Sequence, residues 1–539
     1  MEINITVKFF NPMYNRPFYC LFLEKTMPAL LKFLAIMLCA VLIACGGGSS
    51  DDNNEIPDDT LPADDSDTEA PDDNSDSGTE PEGNDEETVT DEDGTPALSD
   101  EDKETSDTET PDEDADFEEL QTGGIYIFSD FDGSGNAQSR EILGNGGFFG
   151  FSIMTLSDKY WAVSAIHESI PAFDWDKATG KLYIFEKEKK IEKLEDAAFV
   201  LNHPEKALNA GFGYTAADPC DINGDGLDEL VVSSHLAASG DLYAAGEIVV
   251  FYGSPDGWNE ENFSISRLSP AYIQKADSMS QSLACLDYDG DGFADIFAGG
   301  QNAGPELEGG GSQGMVAFFK GTAAGLSENE SWVMLPEVEE KAQYFGSSML
   351  AYDFNGDSEP DLAVSGWGLK ESKNSANSGG VYIYLSGTDW QEAASHKIFG
   401  EPGSQFGSGL KIIETGGKKY LAVLATKDKN YGTVNFYDPA ENFAARGRFS
   451  FPSAFAEEGN ISDFDTIEIS ADTDLIVIGG KNFSSGGMSY CATINNQTIS
   501  EPEACRFQPA SPEGGFGNSV FNNKNGEIVV GKPEYIHRF

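Results

Sequence analysis

Three stretches of this chain carry oxygen-bearing side chains at a spacing that could coordinate a metal ion. They begin at Asp221, Asp287 and Asp353, and each start lies 66 residues after the one before. Their side-chain oxygens fall at positions 1, 3, 5 and 9. These are Asp221, Asn223, Asp225 and Glu229 in the first stretch, and Asp287, Asp289, Asp291 and Asp295 in the second. The third stretch supplies Asp353, Asn355, Asp357 and Asp361. Position 7, which is Leu227, Phe293 or Glu359, is placed to add a backbone carbonyl. Hard oxygens gathered around one point suit calcium, and glycine at positions 4 and 6 permits the tight turn.

The first half of each stretch also fits a helix–loop–helix calcium loop, which requires a bidentate glutamate at position 12. That position is Val232, Ala298 or Val364, and the flanks are β-branched and aromatic. The loops are therefore expected between strands, with position 9 closing the site. The Asp287 loop has four carboxylates and is expected to bind most tightly. In the Asp221 loop the longer Glu229 competes with Asp228. The Asp353 loop has Ser358 where glycine would sit, so it is expected to bind most weakly. The ions are expected to hold the fold rather than to touch a ligand. A related stretch at Asp130–Gly135 reads as an ordinary turn.

The chemistry of catalysis is poorly represented. The five histidines lie at 167, 203, 235, 396 and 537, in no zinc spacing. There is no Gly-x-Ser-x-Gly elbow and no phosphate-binding loop. The chain is read as a non-enzyme.

The elements that position these loops recur. A glycine followed by a short aromatic and β-branched run appears at Gly124, Gly180, Gly246, Gly314, Gly380, Gly432 and Gly487. These are strand signals. Phe-Gly opens units at Phe149, Phe212, Phe345, Phe406 and Phe516, with degenerate copies near Ser282 and Phe464. The first aromatic strand lacks a Phe-Gly unit before it, and the last Phe-Gly unit lacks an aromatic strand after it. Joining the two ends completes a sheet. The expectation is an all-β, seven-bladed β-propeller closed by strands from both ends of residues 119–539, which hides the sheet edges.

The Phe-Gly openings, the Asp-rich loops and endings such as Ala298-Gly-Gly and Val364-Ser-Gly resemble FG-GAP/VCBS repeats. These are the propeller repeats of integrin α subunits and many bacterial surface proteins. The three Asp loops match closely, the other units match in pattern, and no copy has a full Gly-Ala-Pro. The resemblance implies a binding or adhesion module with structural calcium ions. It also implies that a protein or glycan partner meets the end opposite the calcium loops, at 233–246, 299–313 and 366–379. The competing expectations are a polysaccharide lyase or hydrolase and a structural subunit of an envelope complex.

Outside the repeats, composition sets location. Residues 1–44 read as a signal-peptide region: Lys25 and Lys32 precede an apolar run at 33–44, too short to span a bilayer comfortably. Either Met1 or Met27 could be the start. Leu42-Ile43-Ala44-Cys45 resembles a bacterial lipobox, which implies lipid on Cys45 and a place in the cell envelope, at the outer membrane or cell surface. Residues 45–118 read as a disordered acidic linker. Residues 51–120 hold about 32 of the chain's 93 acidic residues and a single lysine, Lys103. The formal net charge of −60 excludes nucleic-acid binding by phosphate neutralisation. Cys491 and Cys505 are read as a disulfide across a hairpin. Cys220 and Cys285, just before two of the calcium loops, are either buried thiols or a bridge between neighbouring units.

Overall fold

The computed structural model describes residues 4–11, 16–23, 123–130, 138–167, 179–239, 242, 244–269, 272, 278–307, 311–415, 417–428, 432–450, 460–470, 473–481, 488–495, 498–499, 505–507, 518–523 and 527–533. The chain divides into two compact units, Met1–Thr108 and Glu109–Phe539. In the first, strands Asn4–Asn11 and Arg16–Leu23 pair antiparallel. The apolar run at 33–44, Cys45, the linker at 45–118 and the turn after Asp130 lie outside the described residues.

The second unit is a β-propeller. Its repeating sheet is best seen at Phe212–Ala216, Leu230–Ser234, Glu247–Phe251 and Phe263–Ser266, paired in that order. The next sheet is Ser282–Leu286, Asp295–Gly300, Met315–Phe319 and Trp332–Met334. After it come Ser348–Tyr352, Asp361–Gly366, Gly380–Tyr384 and His396–Phe399. First strands of successive sheets touch all the way round, from Phe149–Thr155 to Val520–Asn522 and back. The sheet that closes the ring joins Val520–Asn522 and Ile528–Lys532 to Gly124–Ser129 and Gln138–Leu143, as the unmatched ends of the repeat require.

One expectation is corrected. Six sheets have the regular four strands, not seven. The sheet built on Asn460–Ser470, Thr473–Lys481 and Met488–Asn495 has five, because Thr498–Ile499 and Cys505–Phe507 both pair with Met488–Asn495. In this sheet Cys491 stands opposite Cys505 in register.

The middle strands of each sheet are apolar along their whole length because both faces are covered by neighbouring sheets. In Glu247–Phe251, Ile248 and Val250 pack with Ile296, Met315 and Phe319 of the next sheet. Val249 and Phe251 pack the other way, with Leu182 and Ile184. The period of two thus serves two interfaces at once. The Phe-Gly opening locks them together. Phe345 is fully buried, and Gly346 has φ 82°, where a Cβ would come within 2.6 Å of the Met315 carbonyl oxygen of the preceding sheet. Only glycine fits both that backbone conformation and that approach.

Candidate metal centre

Each Asp-rich loop follows the first strand of its sheet and leads into the second, so all three lie at one end of the propeller. The third-to-fourth strand hairpin lies at the same end. Within a loop, the first aspartate organises the turn. Asp287 Oδ1 accepts from the backbone N–H of Gly290 (2.8 Å) and Asp291 (3.2 Å), and Oδ2 from Gly292 (2.9 Å). Asp221 and Asp353 do the same in their loops. Carboxylates of aspartate favour such local bonds over strand pairing, so the turn forms from its own residues.

Position 9 closes the loop, as the spacing anticipates. Glu229, Asp295 and Asp361 are all fully buried. Each carboxylate spans two segments. Asp295 accepts from Tyr288 N–H (3.0 Å) in its own loop and from Gly321 N–H (2.8 Å) in the outer hairpin. Asp361 accepts from Phe354 (2.8 Å) and Ser386 (2.6 Å), and Glu229 from Ile222 (2.7 Å) and Gly253 (3.3 Å). Glu229 therefore takes the closing place, and Asp228 does not displace it; the Asp228 carbonyl instead accepts from Trp258 Nε1 (2.9 Å). Burial pushes Asp295 up to about 6 and also raises Glu229, while their backbone hydrogen bonds oppose the shift.

Among the described residues, Asp287, Asp289 and Asp295 bring three carboxylate oxygens within 4.8 Å of one another. This all-oxygen set fits a hard divalent cation. In the other two loops an asparagine replaces the aspartate at position 3. Asn223 Oδ1 accepts from Asp225 N–H (2.9 Å) and Asn355 Oδ1 from Asp357 N–H (2.8 Å). Positions 3 and 5 thus face each other through Asn Nδ2 and Asp Oδ2, at 3.1 Å in the first loop and 2.9 Å in the third. At position 7, Leu227, Phe293 and Glu359 each donate a backbone N–H to the position 5 aspartate.

Ser358 has φ 73°, in the left-handed region that glycine fills in the other two loops at Gly226 (83°) and Gly292 (90°). The strain expected of the Asp353 loop is present. Ser358→Gly should relieve about 1 kcal/mol, read as a higher urea midpoint and tighter calcium binding; an unchanged midpoint would show that the surrounding hydrogen bonds already absorb the strain.

Two features at this end carry weak sequence signals. Cys220 and Cys285 form a disulfide, so the inter-unit bridge is the alternative that holds. It joins the start of the Asp221 loop to the strand that leads into the Asp287 loop. Ala294 N–H also donates to the Asp221 carbonyl (2.9 Å), and Phe293 packs on Gly224. These two loops are physically coupled. The second feature is Lys320, ion-paired to Asp289 and Asp291; its only sequence signal is a cation just before the glycine of an outer hairpin. The contact holds Asp291 below the usual carboxylate range.

The opposite end carries the loops after the second strands. His235, in one of the candidate contact loops, is 7% exposed and packs on Tyr214 with ring centroids 4.0 Å apart. It is core rather than contact surface, which corrects the expectation for that side chain. Burial pushes it down to about 3. The folded protein therefore keeps His235 neutral while the unfolded chain protonates near 6.5. Stability is complete above that pH and declines as pH falls towards 3, by about 1.4 kcal/mol per unit. Melts of the native chain and His235→Gln should diverge between pH 7.5 and 5, the native chain losing about 2 kcal/mol more. Parallel losses would show that the imidazole is not held neutral. In the loop at 366–379, Trp367 stacks on Tyr344 at 3.5 Å and donates from Nε1 to Gln301 Oε1 (3.0 Å).

Comparison with known proteins agrees with this architecture. Residues 345–384, which contain the Asp353 loop, match the FG-GAP repeat. The chain is similar to integrin alpha-PS5 of Drosophila melanogaster, 32% identical over 213 residues, covering 38% of this chain and 18% of that protein. It is also similar to integrin alpha-PS2 of the same organism, 28% identical over 181 residues, covering 32% and 12%. Phosphatidylinositol-glycan-specific phospholipase D of Bos taurus is 26% identical over 171 residues, covering 31% and 19%. The matches span less than a fifth of the length of each of these relatives.

Proposed function

We propose that this integrin-α-like β-propeller, built on FG-GAP repeats, is a calcium-stabilised binding module that presents one end of its ring to a protein or glycan partner. The cations hold one end and the partner meets the other.

The observation that carries the reading is the threefold repetition of one device. A buried acid at position 9 ties each Asp-rich loop to its outer hairpin. Negative charge concentrated there is relieved by a bound cation, which favours a structural role for calcium. Calcium at a hundred times its Kd would add ~2.7 kcal/mol per site. At the other end, the half-buried Trp367 on Tyr344 offers the kind of aromatic anchor on which binding energy concentrates.

We further propose that the module belongs to a bacterial cell envelope, at the outer membrane or cell surface. Lipid on Cys45 would anchor it and residues 45–118 would serve as a spacer. Among the described residues, no helix is long and apolar enough to cross a membrane. Binding is favoured over catalysis because the repeated chemistry is coordination by oxygen; polysaccharide cleavage and a purely structural envelope role are the alternatives.

The test is capture by the immobilised full chain, from envelope extract and a panel of polysaccharides, in calcium and in EDTA. Soluble products are assayed in parallel. The expected result is calcium-dependent capture that Trp367→Ala abolishes without lowering the melting temperature. Released sugar products would replace this reading with an enzyme. Capture untouched by both EDTA and Trp367→Ala would remove both the cations and this end of the ring from the mechanism.

A further inference from the structure

The residue before the hairpin group that bonds the position 9 acid differs between the three loops. It is Tyr252 beside the Asp221 loop, Lys320 beside the Asp287 loop and Leu385 beside the Asp353 loop. The backbone of Lys320 is fixed on two sides. Its N–H donates to Ser327 Oγ (3.0 Å), and its carbonyl accepts from Ser327 N–H (2.9 Å). The following residue, Gly321, is fixed in turn by Asp295. From this pinned position the side chain reaches back to the loop, where its ammonium pairs with Asp289 and lies 2.9 Å from Asp291 Oδ2. Those carboxylates stand at positions 3 and 5, two of the four that would hold a cation.

We propose that Lys320 is a built-in competitor for the cation of the Asp287 loop: its ammonium and a divalent ion are alternative occupants of Asp289 and Asp291. The inference rests on the reading that these loops bind calcium. A tethered cation acts at an effective concentration in the millimolar range or above, without the translational cost of a free ion. Calcium must displace it before the four carboxylates can close around the ion. The loop richest in carboxylates is then not the tightest, which reverses the ranking that ligand count alone suggests. It becomes the loop whose occupancy follows changes in calcium concentration. Asp289, one of the two carboxylates in question, also lines the cleft between the Asp287 and Asp353 loops, with Tyr288, Glu359 and Trp390.

The experiment is calorimetric titration of calcium chloride into the full chain, its Lys320→Met variant, and both again with Asp289→Ala. Asp289→Ala identifies the site belonging to the Asp287 loop as the one it removes. The expected result is that this site tightens at least tenfold in Lys320→Met. Melting adds a readout that a merely structural ion pair would not move. Lys320→Met should melt lower than the native chain in EDTA, yet gain more from calcium. An unchanged or weakened site in Lys320→Met, with calcium still bound, overturns the competitor and leaves the calcium reading standing. If Asp289→Ala removes no site from either chain, calcium binding at this loop fails, and the competitor fails with it.

Discussion

Replacing Cys220 and Cys285 together by serine should lower the stability of the propeller by about 4 kcal/mol, the chain-entropy value for a loop of this length. The bridge closes 65 residues of chain, with Cα atoms 6.4 Å apart. Its effect should exceed that of a single contact because it restricts the unfolded chain across a whole repeat. It also has a local consequence. Cys220 pairs by backbone with Glu229, the acid that closes the Asp221 loop, and Cys285 lies on the strand entering the Asp287 loop. The double variant should therefore melt on the order of 5 °C lower and bind calcium more weakly at both loops, leaving the Asp353 loop unaffected. The check is a melt of oxidised, reduced and double-serine protein, with calcium titrated into each. Coincident melts would show that the bridge closes a loop already held shut by its neighbours.

Asp295→Ala is the second large effect. The side chain is fully buried and accepts from the N–H groups of Tyr288 and Gly321. Truncation leaves two donors without their partner, at about 1–3 kcal/mol each. The loss should appear in EDTA as well as in calcium, since the bonds exist without the ion. Asp295→Asn keeps an acceptor oxygen in place and should lose less stability in EDTA, yet still lose the calcium site. Urea unfolding of both variants with and without calcium separates the two roles. Equal losses for Ala and Asn would show that the negative charge, rather than the hydrogen bonds, holds the loop to the hairpin.

What the sequence determined by itself is local or periodic. Each Asp-rich stretch lies within nine consecutive residues, so the three turns and the buried acid that ends each of them were legible in the sequence. The strain at Ser358 followed from a single departure from glycine. The closing sheet followed from the unmatched elements at either end, because a ring leaves no half-blade unpaired. The tertiary structure decided whatever depended on two distant segments meeting. Cys220 and Cys285 were equally readable as thiols until adjacent sheets placed them within bonding distance. Thr498–Ile499 and Cys505–Phe507 both pair with Met488–Asn495, so that sheet has five strands where repeat counting expects four. His235 lay in a loop by sequence but turned into the core against Tyr214. Lys320 meets Asp289 only because Asp295, buried in the next strand, holds the hairpin beside the loop. A repeat encodes its own turn in its own residues, whereas the charge that sits in that turn depends on which neighbour the packed sheet brings to it.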